Sequence, residues 1–346
     1  GGTIKVGLTA TARMGIFRLT FNKSGRAYIL VTPNSDYNDA AIEGYGQVAQ
    51  GKQHYTEVSA SNQVHRLYQG SGQRAGFAAH YLVLVNKTDG VSHVRKTEGN
   101  RQLYYMSFTV KAGEQVLVKV GNSYCDLRGA RRNIEQECPH WNFDQVRRNL
   151  TRIWEKRLAA ITVSGATDRD KVKFYTSLYH ASFLPSMFND VDGRYPSFGG
   201  GKHIMHTDGV YYDGYSLWDT FRALHPLLTI IDPARNQAYI RCLIRKGEEG
   251  GIVPKWELVS NYTGCMIGYH YVSLAADAYT KGQRDFDTKK ALAAGVRMAE
   301  FDASGITQVL PKWKLRDEIM PQARRFKNEM GYVPCDLEHE SVAKAL

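Results

Sequence analysis

Tyr211 to Arg222 (YYDGYSLWDTFR) is the densest mixture of aromatic and charged side chains in the sequence. Ser216 stands where a helix N-cap belongs and Asp219 follows at the third position, which predicts a capping box with Asp in place of Glu. The same residue types suit a sugar. The face of Trp218 can stack on a pyranose ring, the carboxylate of Asp219 can accept two hydroxyls, and Arg222 can orient that carboxylate. A second Trp–acid pair, Trp256–Glu257, lies in Pro254 to Leu258 (PKWEL), again ahead of a helical pattern. Either dipeptide alone could arise by chance. Their matching position before successive helices makes Trp218, Asp219, Arg222, Trp256 and Glu257 candidates for the wall of one substrate pocket.

Other chemistries find less support. Cys335 to Ser341 (CDLEHES) also sits at a predicted helix start, where acids favour the helix dipole whatever their function. Its His-Glu pair lacks a second His one turn on, near Lys344, so it does not make a zinc-protease motif. The chain has no phosphate-binding G-x-x-x-x-G-K-[ST], no G-x-G-x-x-G after a strand and no G-x-S-x-G elbow. Cys125, Cys138, Cys242, Cys265 and Cys335 are odd in number, widely spaced and without a C-x-x-C pair, which argues against a zinc site and a dense disulfide framework. Four Asn-x-Ser/Thr sequons, at Asn22, Asn86, Asn149 and Asn261, are a pattern common by chance.

The elements that must carry the candidates fall into two kinds. At 346 residues, 43% hydrophobic and 23% charged, the chain has the composition of a soluble globular protein of about two domains. The net charge of +11 is dispersed, its longest local run being Arg128 to Arg132, and no nucleic-acid-binding pattern accompanies it. The surplus therefore reads as solvated surface, with no nucleic-acid partner. No run of about 18 apolar residues predicts a membrane span. Gly1-Gly2-Thr3 shows neither an initiator Met nor a signal segment, so the start reads as processed or truncated.

Alternating or continuously apolar runs at 3–11, 15–21, 27–31, 77–85, 102–110 and 115–121 predict strands with no helix between them, hence an antiparallel β-sandwich over 1–141. Near Asp144 the period changes to three and four. A linker helix and connector occupy 142–167, and a second helix capped by Asp168 carries Val172, Tyr175, Leu178, Tyr179 and Phe183 until Pro185. Beyond a Gly-rich excursion over 192–214, helical patterns begin near Ser216, Pro233, Cys265, Thr288, Leu310 and Glu338. Helix upon helix over 168–346 points to an α/α toroid or part of one. Glu338 to Leu346 carries no stop signal, so the chain is expected to end inside a helix.

Tyr215 to Arg222 with His225 to Thr229 (HPLLT), PKWEL, Gly264 to His270 (GCMIGYH) and Gly331 to Leu346 (GYVPCDLEHESVAKAL) together resemble glycoside hydrolase family 92. Leu8 to Arg13 (LTATAR), with Gly15 and Arg18, is similar to a strand pair of the family's first domain; Phe17 and Leu19 depart from the His and Tyr often found there. The resemblance runs over essentially the whole chain. It implies a β-sandwich followed by part of an (α/α)6 toroid, with portions missing at both ends, and an exo-acting α-mannosidase that inverts configuration. A general-acid Glu and base Asp residues would lie downstream of Leu346, so Glu340 is not promoted to that role. Two carboxyl groups about 6.5–9.5 Å apart would admit the attacking water. A calcium ion on the mannose O2 and O3 is implied, its ligands not assigned in this chain. The resemblance carries the mannose-pocket wall onto Trp218 and Asp219, and onto Trp256 and Glu257. It further implies α-1,2-linked mannose of N-glycans or mannan as substrate and a periplasmic, cell-surface or secreted location in bacteria. The rival expectations are a carbohydrate-binding fragment without hydrolysis and a toroidal hydrolase or phosphorylase for another sugar.

Overall fold

The computed structural model describes residues 4–32, 40–50, 53–62, 79–96, 102–199, 203–263, 266, 268–300 and 322–332. They divide between two compact units, one holding the long strands and the other most of the helices with a few two- and three-residue strands.

The first unit contains β1 (Ile4–Ala10), β2 (Met14–Phe21), β3 (Gly25–Val31), β4 (Ala40–Gln50), β5 (Gln53–Asn62), β6 (Ala79–Val85), β7 (Val91–Lys96), β8 (Gln102–Val110) and β9 (Gln115–Ser123). Six strands form one sheet in the order β1-β2-β9-β6-β5-β4 and three form another in the order β3-β8-β7, with neighbours antiparallel throughout. Strand periodicity distributes the side chains. Phe21, Val83, Val85, Val116 and Val118 from the large sheet meet Ala27, Tyr104, Met106, Phe108 and Val110 from the small one in a shared core. The intervening Met14, Ile16, Leu82 and Leu84 face the other way, onto Ala130, Ile134, Phe143 and Val146 of two helices, α1 (Leu127–Glu137) and α2 (Phe143–Leu158). Because β6 is buried on both faces it reads as a continuous apolar run.

Asp126 caps α1 by accepting the Gly129 amide at 2.6 Å, and an Arg13–Glu137 pair at 2.6 Å ties the far end to the β1–β2 turn. Close approach of α1 to the sheet requires Gly121: a Cβ there would stand 2.5 Å from Ile134. The expected strands are present, and β4, β5, β7 and α1 are additional to them.

The second unit contains α3 (Asp168–His180), a single turn α4 (Leu217–Thr220), α5 (Leu224–Ile231), α6 (Pro233–Gly250), α7 (Tyr271–Thr280), α8 (Thr288–Glu300) and α9 (Gln322–Met330). Thr167, not Asp168, caps α3, accepting the Asp170 amide at 3.2 Å. The pattern near Ser216 resolves into α4, a break and α5, and the one near Cys265 starts only at Tyr271. Those near Leu310 and Glu338, with Cys335 to Ser341, lie outside the described residues.

The longest element, α6, organises this unit. Asp232 accepts the Arg235 amide at 3.2 Å, Pro233 fills the first position and Gly251 ends the helix at φ 81°. The helix packs against α5, α7 and α8. A buried polar chain reinforces the packing: His225 meets Asn236 at 3.3 Å, Asn236 donates to Gln283 at 3.2 Å, and Gln283 donates to the Thr229 carbonyl at 3.1 Å. Among the described residues no helix is long and apolar enough to cross a membrane.

Candidate functional site

The two Trp–acid segments lie side by side. Ser216 and Trp256 form an antiparallel bridge, and the Leu217 amide donates to the Lys255 carbonyl at 3.2 Å. The Trp256 carbonyl also accepts the Thr263 amide at 3.3 Å and the Thr263 hydroxyl at 2.9 Å. Trp256–Glu257 therefore does not open a helix. Glu257–Leu258 and Asn261–Tyr262 are the arms of a hairpin whose two turn residues, Val259 (φ 51°) and Ser260 (φ 56°), adopt the left-handed conformation. That conformation is costly for a β-branched residue and is normally filled by Asn or Gly.

A buried ionic cluster explains how the turn is tolerated. Asp213 accepts the Val259 amide at 2.6 Å and the Ser260 amide at 3.0 Å. Glu257, 0% exposed, accepts the Gly214 amide at 3.0 Å and the Tyr215 amide at 3.3 Å. Between the two carboxylates stands the ammonium of Lys246, also 0% exposed, at 3.0 Å from Asp213 and 3.4 Å from Glu257. It lies over the rings of Tyr211 and Phe198, 4.5 and 5.5 Å from their centroids. Burial pushes the Glu257 carboxyl up to about 8, against the pull of Lys246. Burial works to lower the Lys246 ammonium, and the facing carboxylates outweigh it, leaving the group above its ordinary value. The second carboxylate oxygen of Glu257 is buried without a hydrogen-bond partner.

On the exposed side of the same segments stand the other candidates. The Ser216 hydroxyl donates to the Asp219 carboxylate rather than capping the backbone, so the expected capping box is not formed. Asp219 is exposed and Trp218 half-buried. The guanidinium of Arg222 lies over the Trp218 ring at 4.4 Å and the Phe221 ring at 4.7 Å, and it donates weakly to the Trp218 carbonyl at 3.4 Å. Arg222 thus steadies the aromatic plane, and the orientation of Asp219 falls to Ser216. His270 stacks on Phe221 at 3.9 Å and sits 5.3 Å from Trp218. Desolvation, with Arg222 and Lys255 nearby, pulls its pKa down, which favours a neutral imidazole.

The arrangement offers an exposed acid next to an aromatic and cationic platform, on segments whose backbone is held by a buried ionic cluster. Trp218 and Arg222 are in contact, Asp219 is bonded to Ser216, and Glu257 is buried. Asp213, Lys246 and His270 were not singled out from the sequence. Lys246 had a usable signal, because it continues the buried stripe Tyr239, Leu243, Gly250 of α6, where a cation demands an internal partner.

Calcium takes six to eight oxygen ligands. Among the described residues no group of three or more His, Cys, Asp or Glu gathers to hold a metal, and an ammonium already occupies the space between Asp213 and Glu257. The described residues do not fit the ion.

Comparison with known proteins accords with this layout. Residues 2–123 match the glycosyl hydrolase family 92 N-terminal domain, and residues 129–346 match the glycosyl hydrolase family 92 catalytic domain. Among solved structures, a family 92 α-mannosidase from Bacteroides thetaiotaomicron is 26% identical, covers 99% of this chain and superposes with a TM-score of 0.75. That α-mannosidase has also been solved in complex with mannoimidazole. A family 92 inverting mannosidase from the same bacterium has the same fold, at 24% identity, 99% coverage of this chain and a TM-score of 0.79. The chain spans 45% and 44% of the lengths of these two proteins. No curated protein matches it.

Proposed function

The chain belongs to glycoside hydrolase family 92, and from that premise we propose that the protein is an exo-acting α-mannosidase that hydrolyses terminal α-1,2-linked mannose of N-glycans or mannan with inversion. The observation that carries the reading is the exposed Asp219 carboxylate, held by the Ser216 hydroxyl beside the Trp218 and Arg222 platform. A carboxylate of that kind accepts two neighbouring hydroxyls of a terminal sugar, while an indole covers the apolar face of the ring. Glu257 contributes through the Gly214 and Tyr215 backbone that it holds. The general acid and base, the calcium ion, the completed (α/α)6 toroid and a periplasmic, cell-surface or secreted location are expectations of the family resemblance and belong to the same proposal.

The test is mannose release from α-mannobiose by the full protein. Asp219→Ala is expected to lower kcat/KM by about 10- to 150-fold, the worth of a hydrogen bond to a charged group. Full activity in that variant overturns the assignment of Asp219. Loss of mannose release in chelator, restored by added calcium, is the expected result for the ion. Activity that chelation leaves intact removes calcium from the proposal.

A further inference from the structure

We infer that Asp213, Lys246 and Glu257 form a reciprocal latch whose task is to position the Trp218–Asp219 wall. The inference rests on the reading of that wall as the substrate-binding surface.

The geometry is reciprocal across two separate stretches of chain. Asp213, on the stretch leading to Asp219, holds the Val259 and Ser260 amides of the hairpin. Glu257, on the hairpin, holds the Gly214 and Tyr215 amides of the stretch leading to Asp219. Lys246, from α6, faces both carboxylates and so couples the two halves to the core of the unit. Each half fixes the backbone of the other.

From the latch a short path leads to the wall. Glu257 fixes Gly214 and Tyr215, the next residue is Ser216, and the Ser216 hydroxyl sets the direction of the Asp219 carboxylate. Trp256, adjacent to Glu257, bridges Ser216 from the other side. A shift of either arm therefore moves the hydroxyl that aims Asp219.

Stability alone is a poor account of the cluster. A well-packed apolar group of the same volume serves stability as well as or better than buried ions, which must be desolvated. Here two carboxylates share one ammonium, and a second oxygen of Glu257 has no hydrogen-bond partner. The carboxylates are spent instead on backbone amides, two of them in the left-handed turn at Val259 and Ser260. Backbone held in costly conformations by its surroundings is characteristic of sites where placement matters.

Hydrogen exchange and steady-state kinetics on the full protein test this. In the unaltered protein the Gly214, Tyr215, Val259 and Ser260 amides are expected to exchange as one cooperative group, with a common opening free energy. Independent protection of the two pairs overturns the latch without any variant. Above about pH 8, where the Glu257 carboxylate is ionised, Glu257→Gln is expected to speed exchange about tenfold or more at Val259 and Ser260, which it does not touch, as well as at Gly214 and Tyr215. It is also expected to raise KM for α-mannobiose about tenfold, with a smaller change in kcat. A merely structural role lowers kcat with the folded fraction and leaves KM unchanged, and that result overturns the positioning role. Asp219→Ala serves as the reference. If that variant keeps full activity while the four amides still open together, the wall reading has failed and the latch has not.

Discussion

Trp218–Asp219 and Trp256–Glu257 are the same kind of dipeptide with opposite fates. Asp219 is exposed at the start of a single helical turn and is held by one hydroxyl. Glu257 is completely buried in a two-residue hairpin arm and is tied to two amides and an ammonium. The acid's identity sets what bonds it can make, and the element that carries it sets which bonds it makes. An exposed carboxylate remains available to a ligand, whereas a buried one must be satisfied internally or neutralised.

The sharpest way to break this contrast is to remove the cation. Lys246→Met leaves Asp213 and Glu257 buried without their counter-charge, and loss of one partner from a buried ionic cluster costs about 3–5 kcal/mol. Urea unfolding of the full protein measures it. A loss below about 1 kcal/mol would mean that Lys246 contributes no more than an exposed ion pair does.

Next in size comes pH. Burial raises the folded-state pKa of Glu257 from its ordinary 4.5 to about 8, so between those values the folded protein holds a proton that the unfolded chain releases. Stability linked to this group is whole below about pH 4.5 and is lost as pH rises to about 8. Glu257 should therefore make the unaltered protein lose stability relative to Glu257→Gln as pH rises across that window, while His225, whose buried imidazole is held down at about 4, acts in the opposite direction in both proteins. A midpoint with the same slope in both proteins would assign the titration elsewhere.

How much of this was legible depended on whether a residue's neighbours in sequence are also its neighbours in space. The doubly buried β6 announces itself as an apolar run, and α6 is bracketed by Asp232-Pro233 and Gly250-Gly251. The strand β4, AAIEGYGQVAQ, is built from residues of weak strand preference and gave no signal. The helix α1 was missed because it is short and carries few apolar residues. In the candidate site, Trp218, Asp219 and Arg222 are local and could be grouped by eye. Asp213, Lys246 and Glu257 meet only because α6 and the hairpin fold onto the same backbone. The burial of Glu257 was therefore not readable from PKWEL, although the lysine on the apolar stripe of α6 hinted that a buried acid had to exist.

The smallest effect sharpens the exposed half of the comparison. Arg222 is exposed and lies over Trp218 and Phe221, a cation–π arrangement worth about 0.5–1 kcal/mol at an exposed position. If its role is to steady the indole, Arg222→Gln should weaken mannose release about two- to fivefold and lower folding stability by no more than about 1 kcal/mol. If Arg222 instead grips the substrate or orients Asp219 during turnover, its removal should cost as much as Asp219→Ala. Kinetics of the two variants under one set of conditions separate these roles, because a platform residue and a sugar-binding carboxylate differ by about an order of magnitude in what their loss can take away.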